Sequence, residues 1–149
     1  MTPVDQVIID KGRGDCERAC IASLLDLPLN AVPNFIEIPE WHRHLVRYHF
    51  MNSCGWVHVG TINADLFDPS KYPSMNGYYY ASVPSKNFKD TFHAVILSEE
   101  GIIAHDPSPH KQYQDVHMRD TEMLTFQCYE PRSADDKEWA SWARNKPEE

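Results

Sequence analysis

The sequence lacks a long apolar run, and residues 1–10 contain no basic region followed by an apolar stretch. A secretory signal peptide needs both features, and a membrane-spanning helix needs about 20 predominantly apolar residues in a row. We therefore expect neither a signal peptide nor a membrane span, and we predict a cytoplasmic protein.

Basic residues are scarce relative to acidic ones. Lys and Arg number 14 against 22 Asp and Glu, which gives a net charge of -8 at pH 7. Proteins that bind nucleic acid replace its counterions with clustered Lys and Arg. The charge balance therefore argues against nucleic acid as a partner.

The four cysteines, Cys16, Cys20, Cys54 and Cys128, form no Cys-x-x-Cys pair. In a reducing compartment such thiols stay free. Free cysteine is commonly buried, so packing is the expected role of Cys20, Cys54 and Cys128. The eight histidines form no His-Glu-x-x-His or zinc-finger pattern, so we expect no metal and no cofactor.

No internal repeat, low-complexity tract or Gly/Ser linker divides the chain. A chain of 149 residues buries about two thirds of its unfolded surface around one core. We therefore predict a single domain over residues 1–149.

Two helices are predicted in the first part of the chain. Apolar residues at 16, 20, 21, 24 and 25 recur at helical spacing, which predicts a helix from Cys16 to about Leu27 with Asp15 as its N-cap. A second helix is predicted to begin at Pro39 and to stop at residues 52–55, with one face made of Trp41, Leu45, Tyr48 and His49.

The rest of the chain changes to β-branched and aromatic residues, which predict strands over residues 56–59, 77–83, 93–97, 102–105 and 123–129. Residues 98–101 end in Gly and are expected to join the third and fourth strands as an antiparallel hairpin. The rings of residues 78–80 are expected to alternate between buried and exposed positions. Residues 133–149 are predicted to form a short C-terminal helix and tail. Helices followed by strands favour an α+β fold.

Cys16 is placed to act as a nucleophile. A thiol attacks as its thiolate, which the positive end of a helix dipole and a nearby imidazolium both favour. Cys16 lies in the predicted first turn of the first helix, where free backbone N–H groups could also face a developing oxyanion. We therefore interpret Cys16 as a catalytic cysteine.

A base for such a cysteine must be distant in sequence and close in space, and a third group must orient it. His93 opens one strand of the predicted hairpin and Asp106 closes the other, so the antiparallel turn should bring both to the same end of the sheet. His105 is expected on the opposite face from Asp106 and is the poorer partner. These positions predict His93 as base and Asp106 as its orienting residue.

Three short segments carry a resemblance to a known family. Residues 15–25, 93–97 and 102–107 place Asp-Cys at a helix start, His at a strand start and Asp-Pro at a strand end. In this order they resemble the papain-like cysteine peptidase superfamily, nearest to the bacteriocin-processing peptidase domains that cleave double-glycine leaders. The resemblance covers residues 10–107 and implies N-terminal helices packed on an antiparallel β-sheet. It also implies a nucleophile, a base and an orienting residue at Cys16, His93 and Asp106.

The sequence departs from that family at one position. The family carries Gln six residues before the nucleophile as an oxyanion donor, whereas this chain has Asp10 there. A carboxylate repels an oxyanion, so a backbone N–H or the side chain of Gln6 or Asn87 would have to replace it. Asp10, Asp15 and Gln6 are the residues we expect beside the nucleophile in the cleft.

Residues 25–35 look like a segment of small phage-encoded proteins of the same superfamily. That resemblance implies expression inside an infected bacterium, and hence a location in the host cytoplasm. It leaves processing, host modification and defence evasion open as roles.

The sequence thus predicts a cysteine hydrolase that cleaves an amide bond through an acyl-enzyme on Cys16. The bond could belong to a peptide, an isopeptide or a glutamine side chain, the substrate is expected to be a peptide or protein, and transfer to an amine would use the same triad. The alternative is a catalytically inactive papain-like binding protein that captures a host or viral partner. Asp10 favours that alternative.

Overall fold

The computed structural model describes residues 1–9 and 14–132 and shows an α+β fold. Within these residues two α-helices, α1 (Cys16–Leu24) and α2 (Glu40–Ser53), precede five strands. The strands are β1 (Trp56–Asn63), β2 (Tyr78–Pro84), β3 (Phe92–Ser98), β4 (Ile103–His105) and β5 (Thr125–Pro131). The predicted order of helices and strands is confirmed, while the predicted helix over 133–149 lies outside the described residues. No helix in the described part of the chain is long and apolar enough to cross a membrane.

The strands form one antiparallel sheet in the order β1-β5-β2-β3-β4. β3 and β4 are joined by the predicted hairpin, in which the N–H of Ser98 donates to the carbonyl of Ile102 at 2.8 Å. Gly101 closes this turn at φ +78°, a backbone conformation that side-chain-bearing residues rarely adopt. The hairpin therefore fixes the relative position of the residues at its two open ends.

Both faces of the sheet are covered. Alternate residues of β2 and β3 contribute to two separate apolar clusters: Tyr80 and Ile96 pack with α1, while Tyr79 and Leu97 pack on the other face under the connecting loops. The expected alternation of buried and exposed tyrosines is therefore wrong for Tyr79 and Tyr80, which are both buried. A central strand between two packed layers has no exposed face.

α1 ends earlier than predicted. It stops at Leu24, and Asp26 takes a left-handed backbone conformation with φ 56°. The N–H of Leu27 then donates to the carbonyl of Ala22 at 2.9 Å, a bond typical of a helix C-terminus. Glycine usually marks this position, and Asp26 gives a weaker stop signal in the sequence.

α2 packs on β1, and Tyr48 stacks on His58 of that strand with ring centroids 4.6 Å apart. Trp41 and Leu45, which the sequence places on the same face as Tyr48, are exposed. The helix instead buries Arg47 and Met51. The buried side of α2 therefore contains an arginine that no apolar pattern identifies.

The N-terminal segment lies between α1 and the end of β4. The N–H of Val4 donates to Ser23 Oγ at 2.8 Å, and the Val4 carbonyl accepts a hydrogen bond of 2.8 Å from His105 Nε2. His105 is thus a buried structural histidine. These contacts bring the residues that follow Val4 to the start of α1.

Candidate active site

Cys16 is the first residue of α1 and lines an open cleft of about 580 Å³. The residue is half-buried. Backbone N–H groups in the first turn of a helix have no carbonyl partner inside the helix, and the helix dipole places partial positive charge there. This position suits a thiolate.

His93 lies near the start of β3, and Asp106 directly follows β4. The hairpin brings them together, with 2.6 Å between His93 Nε2 and Asp106 Oδ1. The ring of Tyr113 stacks beside the imidazole, with ring centroids 6.5 Å apart. The predicted proximity of His93 and Asp106 is therefore confirmed.

Cys16 and His93 line the same cleft, and the thiol is close enough to the imidazole to raise the pKa of His93. Because Nε2 is bonded to Asp106, Nδ1 is the ring nitrogen left for the sulfur. Burial lowers the pKa of His93, but the hydrogen bond and charge of Asp106 and the interaction with Cys16 outweigh burial and raise that pKa to about 9. An imidazole with this pKa is protonated at neutral pH and favours a neighbouring thiolate.

Asp106 sits in a buried socket, with its side chain 1 % exposed. The N–H of Ser108 donates to Oδ1 at 3.0 Å, and the N–H of Tyr113 donates to Oδ2 at 3.0 Å. Burial raises the pKa of Asp106, but the hydrogen bonds from His93, Tyr113 and Ser108 outweigh burial and lower the pKa below its ordinary value. The carboxylate therefore stays ionised and holds the ring of His93 in one orientation.

Gln6 lines the same cleft as Cys16 and His93. Its backbone N–H donates to the carbonyl of Pro107 at 2.9 Å, and its side-chain Nε2 donates to the carbonyl of Ile8 at 2.9 Å. Its Oε1 is buried and has no hydrogen-bond partner among the described residues. A side-chain amide carries two N–H donors, so one donor of Gln6 remains for a ligand.

Asp15 does not face the cleft. It occupies the N-cap position of α1 but makes no side-chain cap. Its carboxylate accepts hydrogen bonds from the backbone N–H groups of Val7 at 3.0 Å and Ile8 at 2.9 Å, and the residue is 1 % exposed. The predicted N-cap position of Asp15 is confirmed, but its side chain does not cap the helix, and Asp15 is not among the residues that line the cleft. Asp15 instead anchors the segment that carries Gln6, because buried backbone donors need an acceptor.

Asp10 and Asn87 are the other two residues that the sequence analysis considers near an oxyanion. Asp10 lies outside the described residues, so its place beside the nucleophile stays a prediction. Asn87 lines the cleft from the loop between β2 and β3 and is exposed.

An ion pair lies next to the nucleophile. Glu17, the residue after Cys16, accepts a hydrogen bond of 2.8 Å from Arg47 Nη1 on α2. The side chain of Arg47 is 7 % exposed and that of Glu17 is 26 % exposed. Burial lowers the pKa of Arg47, but the Glu17 carboxylate outweighs burial and raises it further above its ordinary value. Arg47 therefore compensates the negative charge of Glu17, which would otherwise repel a thiolate at Cys16.

The other three thiols lack these features. Burial raises the pKa of Cys20 well above its ordinary value and raises that of Cys128 to about 11. Cys20 and Cys128 are buried as predicted, whereas Cys54, the C-cap residue of α2, is only half-buried. Burial also raises the pKa of Cys54. All three thiols are therefore protonated at neutral pH.

Sequence reasoning missed several residues of the site: Glu17, Arg43, Arg47, Ser108 and Tyr113. Glu17 and Arg47 are 30 positions apart, and no short motif links a helix surface charge to a distant partner. The Asp106 socket depends on the path of a loop, which periodicity does not describe. The Ser-Pro dipeptide at 108–109 is a turn signal that could have pointed to Ser108.

No family model matches this chain, and neither the curated proteins nor the solved structures compared with it include a significant match.

Proposed function

We propose that the protein is a papain-like cysteine hydrolase that cleaves amide bonds through an acyl-enzyme on Cys16. The observation that carries this proposal is the meeting of three groups at the wall of an open cleft: Cys16 and His93 both line it, and His93 is hydrogen-bonded to the buried Asp106. Nucleophile, base and orienting carboxylate are the three groups that such catalysis requires.

The arrangement of these groups on the fold supports the papain-like part of the proposal. The cysteine begins a helix, and the histidine and the aspartate lie at one end of an antiparallel sheet on which that helix packs. This is the placement that the resemblance implies for Cys16, His93 and Asp106. The pairing of a helix N-terminus with an imidazolium is also what favours a thiolate physically.

In the proposed reaction the Cys16 thiolate attacks the carbonyl carbon of the amide, and the carbonyl oxygen becomes an oxyanion. Protonated His93 gives its proton to the leaving nitrogen as the C–N bond breaks, which leaves a thioester on Cys16. Neutral His93 then takes a proton from water, the hydroxide attacks the thioester, and the carboxylic acid leaves as the thiolate forms again. Asp106 stabilises the imidazolium at each protonated stage.

The free N–H donor of Gln6 is our candidate for stabilising the oxyanion, together with backbone N–H groups in the first turn of α1. Gln6 lines the cleft with Cys16 and is held in place through Pro107 and Ile8. Fixed donors in a partly dry site stabilise developing negative charge better than water does. Gln6 would thus supply the donor that Asp10 cannot.

Selective alkylation of Cys16 tests this proposal. We expect iodoacetamide to label Cys16 ahead of Cys20, Cys54 and Cys128 at about pH 6, because protonated His93 stabilises its thiolate. His93→Ala should lower the Cys16 rate at that pH by about 30-fold, since the gain in thiolate fraction is partly offset by lower nucleophilicity. Site-resolved mass spectrometry from about pH 5 to about pH 9 measures both effects.

His110→Ala is the matched control, because His110 is exposed and lies outside the cleft. It should leave the labelling of Cys16 unchanged. If Cys16 reacts like the buried thiols and does not respond to His93→Ala, the catalytic proposal fails, and a binding protein that uses the cleft for capture becomes the better account.

A further inference from the structure

α2 presents three basic side chains to the cleft that contains Cys16 and His93. Arg43, His44 and Arg47 all line it. Residues three and four positions apart share one side of a helix, which places Arg47 beside both Arg43 and His44. This wall of the cleft is therefore a place where a negative group of a substrate could bind.

Arg43 is the arginine of this wall that has no carboxylate partner among the described residues. Its guanidinium is nevertheless fixed, because Nε donates to the carbonyl of Ile38 at 3.0 Å and Nη2 donates to the carbonyl of Ile36 at 3.4 Å. These bonds restrict the side chain but leave its charge unneutralised. A guanidinium has five N–H donors, so others remain for a ligand.

Arg47 plays a different part in the same wall. Its charge is paired with Glu17, and its side chain is buried, so it is not the group that would take a new anion. Because Glu17, the residue after Cys16, is paired with Arg47, its carboxylate does not compete for Arg43. The pair thus leaves the positive charge of Arg43 facing the cleft.

Besides Glu17, two further carboxylates line the cleft, on Glu40 and Asp90. Both residues are exposed, and neither forms an ion pair with Arg43. Water and salt screen exposed charges strongly, whereas Arg43 is partly buried and anchored. Locally, the anchored cation should outweigh the two solvated anions.

We propose that Arg43 binds a carboxylate of the substrate, so that the preferred substrates carry an acidic residue or a free C-terminal carboxylate close to the amide that Cys16 attacks. This inference rests on the proposed function and names a substrate class for the same site. A planar guanidinium matches a carboxylate with two parallel hydrogen bonds, which gives orientation as well as attraction. Arg43 then acts as a specificity-determining residue.

Paired alkylating probes test the inference without knowledge of the natural substrate. N-bromoacetyl-glutamate α-amide and N-bromoacetyl-glutamine α-amide differ only in a side-chain carboxylate, and N-bromoacetyl-glycine and its amide differ only in a terminal carboxylate. We measure the rate of Cys16 alkylation by each probe and divide it by the rate with free cysteine. In the wild type the acid of at least one pair should react about fivefold faster than its amide, the size expected for one partly exposed ion pair.

Arg43→Gln should bring the ratio of acid to amide alkylation rates to about one. Arg43→Lys should keep part of the wild-type preference, since an ammonium retains the positive charge but cannot form the two parallel hydrogen bonds of a guanidinium. Arg18→Gln is the matched control: Arg18 Nε also donates to a backbone carbonyl, that of Val32 at 2.8 Å, but Arg18 does not line the cleft. This variant should keep the wild-type ratio. High salt should lower the ratio in the wild type.

The net charge of -8 repels anionic probes from the protein as a whole, so a preference for the acids must come from the site. The pair that shows the preference distinguishes an acidic side chain from a chain terminus. A ratio of one or less in both wild-type pairs, or a ratio that Arg43→Gln does not change, overturns the inference. If Cys16 remains selectively reactive toward iodoacetamide in that case, the proposed function stands alone; if it does not, both fall.

Discussion

Asp106→Ala is expected to lower the free energy of unfolding by about 3 kcal/mol, because it removes the acceptor of three hydrogen bonds from a buried socket. The N–H groups of Ser108 and Tyr113 and the ring of His93 would lose their partner where water reaches poorly. Urea unfolding followed by circular dichroism measures the change. A loss below about 1 kcal/mol would mean that the socket contributes little.

The same substitution should change how stability depends on pH. The pKa of His93 in the folded protein is about 9, above its ordinary value of 6.5. A raised pKa contributes stability that is fully present below the unfolded pKa and is lost as pH rises through the folded one. The wild type should therefore lose stability between pH 6.5 and pH 9, and Asp106→Ala should show less of this loss because the pKa of His93 falls.

Asp106→Asn serves as the control for charge. It keeps the shape of the side chain and one acceptor oxygen, so its loss of stability should be smaller than that of Asp106→Ala. It removes the negative charge, so NMR titration should show a lower pKa for His93 in both variants. An unchanged His93 titration would contradict the role assigned to Asp106.

Glu17→Ala is expected to lower the free energy of unfolding by about 3 kcal/mol, although Glu17 itself is partly exposed. The cost comes from its partner: Arg47 would remain buried with its positive charge unpaired. The partners that would remain, His44 Nδ1 at 3.4 Å from Nη2 and the rings of Tyr48 and Tyr80, carry no negative charge to replace that of Glu17. Chemical unfolding of the purified variant measures the effect.

A double-mutant cycle separates this explanation from simple loss of packing. Arg47→Met removes the buried charge, and the double variant Glu17→Ala with Arg47→Met should recover most of the stability that Glu17→Ala loses. Additive losses in the double variant would show that the ion pair is not the cause.

The sequence predicts the fold best where patterns are local. The apolar spacing after Cys16 and the Gly101 turn mark α1 and the β3-β4 hairpin, and the hairpin in turn brings His93 and Asp106 together. The end of α1 was missed because Asp26 takes a conformation that glycine usually marks. Tyr79 and Tyr80 were misjudged because burial on both faces depends on the loops that cover the sheet.

The surroundings of the candidate site were less predictable. Asp15 is one of the residues expected in the cleft, yet its carboxylate accepts hydrogen bonds from the backbone N–H groups of Val7 and Ile8. The burial of Arg47 could not be predicted, since an arginine in a helix usually faces water and its partners Glu17 and Tyr80 lie far away in the sequence. Such contacts join residues that are distant in sequence and leave no periodic signal.

Acyl-enzyme formation with p-nitrophenyl acetate tests the central claim most directly. We expect a burst of p-nitrophenol and an acetyl group that mass spectrometry maps to Cys16. Turnover of that adduct should slow in His93→Ala because the base that activates water is lost. Absence of the adduct on Cys16, or release of p-nitrophenol at the same rate in Cys16→Ala, would contradict the claim that this chain is a cysteine hydrolase.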